Sequence, residues 1–569
     1  MIRRATFSSI APILNVTNVL TRLGNISNPD ALLFSVLVAS AETLFFLGTI
    51  LFYFDIWDEG DTPRKAPTMT RTDHDEQRDV TVDIFITTYD EDEATVAPSI
   101  DAALNVHVPE CTTTRIWVLD DGKRSEFEAL AKRRGVGYLT RPDNLGFKAG
   151  NLRNALFHTD GDFVLICDAD TRLFPCFLQN TLGYFNDPDV AWVQTPHWFY
   201  DIPEGEDWAD WFSNRTSLDA QGIWARCFRG VAQYLSGKPR KGLDPFLSDP
   251  ALFFDVIQRR RNRHGASFCC GAGSIHRREA IFENALKRFS HEATDGRRPK
   301  PLASIDLQPF RFHVSEDIYT SMNLQSDPDR SWKSVYHPQV ESRMLSPWTM
   351  QAWATQRLKY AGGTFDIMLR DPHIFGRSMP WRTRLHYAAT FWSYLTAIWT
   401  PIMLIAPAIS LFLGIAPVKA YSLEFFAYFL PAVLISELAM IAACKDHDIQ
   451  CGRVMATGGL VIQLRALLSV LAGKRPSFPP TPKTPDRAVQ VIANLRYIWV
   501  NVVLMATYCC AAIYGLWGYT EGWSGYSVPF LTVNLFWLAW NSLSVVRILR
   551  AAFWCPPEIS TRAQGTSAT

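Results

Sequence analysis

Asp168-Ala169-Asp170 closes a short apolar run, Phe163-Val-Leu-Ile-Cys167. The run is brief and rich in strand-compatible residues, so it predicts a buried strand. Residues two apart on a strand point the same way, and a turn after the run lets both carboxylates converge at the strand's C-terminal end. That end is where open α/β sheets bind ligands. Two carboxylates there suit a hard divalent cation shared with substrate phosphates, although a lone Asp-x-Asp serves as often to build a turn. Other clusters shift that balance. Thr88-Tyr89-Asp90-Glu91 offers an aromatic ring and acids that can clamp a nucleobase and ribose. Asp120-Asp121-Gly122 offers an acidic pair for a base edge or a ribose hydroxyl. Asn144-Leu-Gly-Phe-Lys148-Ala-Gly-Asn151 is a glycine-containing turn into a helix with a lysine, which suits a diphosphate. Ser315-Glu316-Asp317 precedes a helical stretch, Ile318 to Gln325. Its acids either complement the helix dipole or supply a general base for a hydroxyl proton.

The elements needed to position these groups are also legible. Val82–Thr88, Arg115–Leu119, Phe163–Cys167 and Val190–Gln194 read as strands, with Ser125–Arg134 a helix between the first pair and the third. Such alternation predicts a parallel sheet of βαβ units. Trp208–Tyr234 and Pro245–Arg263 read as aromatic-rich surface or interfacial helices. The second ends in Gln258-Arg-Arg-Arg261, a basic patch for lipid headgroups or a solvated face.

The formal net charge of zero argues against nucleic acid as the main partner. The 48% of hydrophobic residues is unevenly spread, with long apolar runs toward both ends of the chain. Ala31–Phe54, whose one charge is Glu42, is long enough to span a membrane. So are Ala388–Leu413, Phe425–Cys444 with only Glu437, Tyr497–Gly518 and Ser527–Val546. Pro401 and Pro407 suggest a kink in the second of these. The loop from Lys445 to Arg496 carries the excess of Lys and Arg, which puts that loop and the polar middle of the chain on the cytoplasmic side. Val454–Leu471 is interrupted by Gln463 and Arg465 and fits a helix lying in the interface. Met1-Ile-Arg-Arg opens like a secretion signal, but Ala5–Leu23 is broken by polar residues and reads as a peripheral amphipathic segment. The eleven cysteines show no C-x-x-C spacing and are expected to be reduced.

Taken together and in this order, the clusters resemble the processive branch of the family-two inverting glycosyltransferases, that of the bacterial cellulose synthases. The likeness runs from about residue 80 to residue 550. Val193-Gln-Thr-Pro-His197 resembles the family's strand before its first interfacial helix, and Phe268-Cys-Cys270-Gly271-Ala272 its segment beside the acceptor. Phe478-Pro-Pro-Thr481-Pro-Lys483 resembles its F-x-V-T-x-K gating loop, with Pro480 in place of valine. The resemblance implies a glycosyltransferase-A-type α/β domain, Rossmann-like and mostly parallel, set between transmembrane helices. The implied division is 1–55 for the N-terminal segment and first span, 56–80 for a linker and 81–380 for the cytoplasmic catalytic domain with interfacial helices. Residues 381–550 would hold four spans, an interfacial helix and the gating loop (476–486), and 551–569 a short tail.

Carried over position by position, the resemblance implies that Tyr89, Glu91 and Asp121 hold uridine, and that Lys148 and Asp168 hold the diphosphate and sugar. Asp170 would bind Mg²⁺ or Mn²⁺, and Asp317 would be the catalytic base. Cys270, Gly271 and Glu316 would line the acceptor site. Trp537 and Trp540, with Phe536, Asn534 and Asn541, could line a channel or simply pack helices. The family's Q-x-x-R-W departs to Gln356-Arg357-Leu358-Lys359-Tyr360. Gln356 and Lys359 would still face the donor, with a point charge in place of a planar fork. Tyr360 keeps a smaller aromatic platform for the terminal sugar. The expected reaction is transfer from a UDP-sugar, UDP-glucose first, to a growing β-1,4-linked polysaccharide that crosses the inner (plasma) membrane. The expected partners are the donor, the polymer, membrane lipid and a periplasmic accessory subunit, with no nucleic acid. The altered pentapeptide leaves open a β-1,3-glucan, mixed-linkage glucan, chitin or hyaluronan-like product. Single transfer to a lipid acceptor and a catalytically silent scaffold are the rival readings. The tail lacks the Arg-x-x-x-Arg signature of a cyclic-di-GMP-binding barrel, so control by that nucleotide through this chain is not expected.

Overall fold

The computed structural model describes residues 28–57, 60–67, 70–73, 76–201, 205–236, 240–241, 251–294, 305–347, 349–372, 376, 378–417, 423–444, 447, 450–474 and 491–553. Helix α1 (Leu32–Asp55) is apolar on all sides and contains the half-buried Glu42. The catalytic-domain candidate then begins with β1 (Glu76–Thr88), α2 (Glu93–Leu104), β2 (Thr112–Asp120), α3 (Ser125–Arg134), β3 (Gly137–Leu139), α4 (Phe147–His158) and β4 (Phe163–Asp168). It continues through β5 (Val190–Gln194), α5 (Trp208–Thr216), α6 (Ile223–Ser236), β6 (Ser274–Arg277), α7 (Arg278–Thr294), α8 (Glu316–Gln325) and β7 (Lys333–Tyr336).

The main sheet runs β7-β5-β6-β4-β1-β2-β3, with Thr70–Asp73 antiparallel to the start of β1. Within this path β6 alone runs antiparallel to its neighbours. The strands are buried on both faces. Val80, Val82, Ile84 and Ile86 of β1 pack with α2 and α3, while Phe85 on the opposite face packs with α4. This period-two split is why the central strands read as continuous apolar runs. The register sets Thr88 beside Asp120 and Thr87 beside Asp168, so three strands end level with one another. Their following residues therefore share one edge of the sheet. The expected α/β sheet, mostly parallel and flanked by apolar helices, is the one observed.

Beyond the sheet come α9 (Met350–Arg370), α10 (Trp381–Leu413), α11 (Leu423–Ala443), α12 (Gln450–Leu471), α13 (Trp499–Thr520) and α14 (Val528–Ala552). Among the described residues, five helices are long and apolar enough to cross a membrane: α1, α10, the Gly452–Leu471 part of α12, α13 and α14. In α11 the shorter apolar stretch Val433–Ala443 is found, and α12, expected to lie in the interface, has a span's length and composition. α10 is one helix through Pro401 and Pro407. α9 packs against α12 through Trp353, Phe365, Val454, Ile462 and Leu467.

Local departures from expectation have visible causes. The linker ends earlier than residue 80, because β1 already begins at Glu76. Trp208–Tyr234 is two helices, broken where Ser217 takes the left-handed conformation (φ 57°). In the basic patch 259–261, Arg260 and Arg261 are buried while Arg259 is half-exposed. The patch follows a π-helix, Leu252–Gln258, and the side chains of Arg260 and Arg261 clamp the ends of α1 and α11. Arg261 forms a buried pair with Asp55 at 2.5 Å, and Arg260 donates to the carbonyls of Ile56 (2.9 Å) and Ala443 (2.7 Å). Arg259 pairs with Asp61. Helix C-termini leave carbonyls without intrahelical donors, and these arginines supply them. His386 of α10 joins Asp55 at 2.6 Å, which ties α1, α10 and the arginine segment together.

Candidate active site

At the shared sheet edge each carboxylate has a different partner. Asp120 is fully buried and accepts from Arg124, Tyr138 and the Gly122 N–H, so it builds the turn. Asp121 meets Arg141 in a two-pronged pair, 2.7 Å on each side. Arg141 also donates to the carbonyls of Leu145 (2.5 Å) and Phe147 (2.8 Å). These flank Gly146 and Phe147, which are consecutive left-handed residues at φ 75° and 52°. Arg141 therefore joins the Asp121 turn to the loop that launches α4 and its Lys148. Glu91 accepts from the Tyr89 N–H and the Thr88 hydroxyl, folding its own turn, and leaves the Tyr89 ring exposed. Lys148 Nζ lies 2.5 Å from Asp168 Oδ1. Burial disfavours the Lys148 charge, but Asp168 and Glu316 outweigh it and hold the pKa above the usual lysine value.

Asp317 approaches from the other side, in the first turn of α8. Gly271 marks the meeting point. A methyl group at Gly271 would stand 3.6 Å from Lys148 Nζ and 3.8 Å from Asp317 Oδ2, and its φ of 93° suits glycine. Burial first, and then the buried Glu316, push the Asp317 pKa up to about 7, while Lys359 and Lys148 act in the opposite sense. A carboxyl so placed is matched to proton transfer near neutral pH. The loop carrying Gly271 is held by the Val193–His197 segment. Gln194 accepts from the Cys270 N–H at 2.7 Å, and His197 and Thr195 bond the carbonyls of Ala272 (2.7 Å) and Gly273 (2.8 Å). From below, Gln258 of the π-helix donates to the Phe268 carbonyl and to Cys270 Sγ. The Cys270 thiol has its pKa raised well above normal, mainly by burial.

The family is decided by sequence likeness. Glycosyl transferase family 2 matches residues 83–282, and glycosyl transferase family group 2 matches residues 246–440. "Cellulose synthase 1" of Komagataeibacter xylinus is 32% identical over 352 residues, 62% of this chain and 19% of that protein. "Cellulose synthase 2" of Novacetimonas hansenii is 26% identical over 532 residues, 93% of this chain and 29% of that protein. This chain is a cellulose-synthase-like member of glycosyltransferase family two. It spans less than a third of the length of these relatives. Among solved structures, the mannosyltransferase PcManGT of Pyrobaculum calidifontis, in complex with GDP-Man and Mn²⁺, matches 78% of this chain and 100% of that chain. The identity is 15% and the TM-score 0.45.

In this family-two chain, Gln356, Lys359 and Tyr360 lie on α9 beside the Asp317 helix. Gly363 makes the approach feasible, since a methyl there would fall 2.0 Å from Ser315 Oγ. Arg357 sits 5.9 Å from the Tyr360 ring. Asp170 is fully buried and accepts from the Leu345 N–H at 2.9 Å, while the Asp168 side chain is 36% exposed. No group of three or more His, Cys, Asp or Glu gathers as a metal cage among the described residues. Two hard carboxylate oxygens at a strand end still fit Mg²⁺ or Mn²⁺, which take much of their coordination from water and substrate phosphates. Trp537 and Trp540 lie on α14, half-buried beside Phe536. Arg453 of α12 lies 5.0 Å over the Trp540 ring and pairs with Glu437 of α11, so this cluster joins helices. Phe478, Thr481, Lys483, the first 27 residues and the tail from 554 lie outside the described residues. Sequence reasoning missed Arg141, Gln194 and His197 as holders of the site. Arg141 stands two residues after a short strand, with no motif to flag it.

Proposed function

We propose that the chain is a membrane-embedded, processive, inverting glycosyltransferase that extends a β-linked polysaccharide from a UDP-sugar, UDP-glucose first, and passes it across the membrane. The observation that carries this reading is the convergence of the Lys148–Asp168 pair, Gly271 and Asp317 around one point. Asp317 takes the proton from the acceptor hydroxyl as its oxygen bonds the anomeric carbon. The bond from that carbon to the UDP oxygen breaks, and UDP leaves with the electron pair. One displacement turns an α-linked donor into a β-linked product. Lys148 and Lys359 oppose the charge that grows on the departing diphosphate. A divalent ion on Asp168 and Asp170 would add a Lewis acid at the same oxygens. Tyr89 offers its exposed ring to the nucleobase, and Asp121, fixed by Arg141, its carboxylate to the nucleoside. Gly271 leaves room for a sugar beside Cys270, with Tyr360 as its stacking face.

Purified protein in nanodiscs, given Mg²⁺ or Mn²⁺ with radiolabelled UDP-glucose or UDP-N-acetylglucosamine, tests the reading. Insoluble glucose polymer lost only to β-1,4-glucanase is the expected result. Polymer cut by β-1,3-glucanase would assign the Lys359-Tyr360 pair to a different acceptor register. Short soluble products would overturn processivity.

A further inference from the structure

A cavity of about 740 Å³ lies away from the transfer site, where the linker, the segment after the π-helix, β7 and the start of α10 meet. Its lining carries Lys65, Arg263, Lys333 and Arg382 against one carboxylate, Asp187. Lys333 is taken up by Asp187 at 3.3 Å and by Asp189, outside the lining, at 3.7 Å. Lys65 and Arg382 are exposed and make no ion pair with a described residue. His264 in the wall has its pKa lowered to about 4, first by burial and then by Arg263, His386 and Arg382. Trp332, also in the wall, has its indole N–H buried without an acceptor. Pro380 caps α10 without a side-chain bond, so the first N–H groups of that helix add to the positive end.

The height of the cavity says what is near it. Asp55, the last residue of α1, touches His386 of α10. Pro380–Thr383 therefore lies about 5–9 Å beyond the end of α1 along α10. Trp57 and Trp381 are 52% and 58% exposed at that level, where tryptophan prefers the headgroup layer. In the other direction α1 shows exposed Leu33, Leu37 and Phe45. We propose that this cavity binds the phosphate of an anionic membrane phospholipid headgroup, seated between Lys65, Arg382 and the first turn of α10. The proposal does not depend on the transfer chemistry. The same cations would take a free phosphate, and the test separates the two sources.

Native mass spectrometry of the full chain in detergent, exposed to equal phosphatidylglycerol and phosphatidylcholine, reads the retained lipid. Preferential retention of phosphatidylglycerol is expected, falling roughly fivefold for each of Lys65→Ala and Arg382→Ala. Lys132→Ala, an exposed lysine on α3, is expected to change nothing. Thermal melts establish that each variant is folded. A second arm adds inorganic phosphate. Phosphate retained in place of the lipid, with the same dependence on Lys65 and Arg382, supports the site with a soluble source. Lipid retained against phosphate supports the membrane source. Equal retention of both lipids without phosphate binding, or an equal loss in Lys132→Ala, overturns the proposal.

Discussion

A base at Asp317 must be ionised before it can accept a proton. With its pKa near 7, the rate should fall as pH drops through neutrality. Glu316→Gln removes an adjacent negative charge, lowers that pKa and moves the acid limb of the pH–rate profile to lower pH; an unmoved limb would remove Glu316 from this role. Asp317→Asn should lower transfer by roughly 10²–10⁴ while UDP binding, read by calorimetry, persists. The same variant carries a stability sign. A buried carboxyl with a raised pKa binds its proton more tightly folded than unfolded, so its contribution is lost as pH rises from the usual aspartate range to about 7. Asp317→Asn should then melt no lower than the parent at pH 8. Arg141 is a positioning residue in this scheme. Arg141→Lys loses the fork to Asp121 and the clamp on two carbonyls, so KM for the donor should rise about tenfold with a smaller change in kcat. The placement of Asp121, Asp168 and Asp170 at or just beyond strand ends was legible because the apolar runs before them announce those ends. Arg141 was not, because its meaning lies in three chain segments that only folding brings together.

At the level of elements, the site depends on two close approaches. α9 touches the Asp317 segment through Gly363, so Gly363→Ala should cost about 1–3 kcal/mol and lower kcat by parting Lys359 from Asp317. Melting temperature and initial rates check both. The arginine segment is the second approach. Arg261→Ala leaves Asp55 buried without its guanidinium and should cost about 3–5 kcal/mol, whereas the double change Asp55→Leu with Arg261→Met should recover most of it. The strands were legible from their alternation, and α3 matched its expected bounds at Ser125 and Arg134. The arginine run was not, because three basic residues in sequence look alike whether they face water, lipid or helix carbonyls. Composition cannot separate an interfacial helix from a span at α12 either, because its length and hydropathy permit both.

At the scale of the whole molecule, catalysis and passage across the membrane are one act only if the acceptor site opens toward the helices. Inside-out vesicles bearing the chain should accumulate polymer in their lumen, protected from added glucanase until detergent is supplied; polymer digested without detergent would separate synthesis from export. The joint between the two halves of the protein has a further consequence, for anyone wishing to produce the water-facing half alone. A fragment running from residue 60 to residue 380 would carry Arg260 and Arg261 but lack Asp55, the Ile56 carbonyl and the Ala443 carbonyl that receive them. Two guanidinium groups built to be enclosed would be left at a raw apolar surface. Such a fragment should emerge from expression as inclusion bodies, and the smallest unit that can be handled should keep α1, α10 and α11.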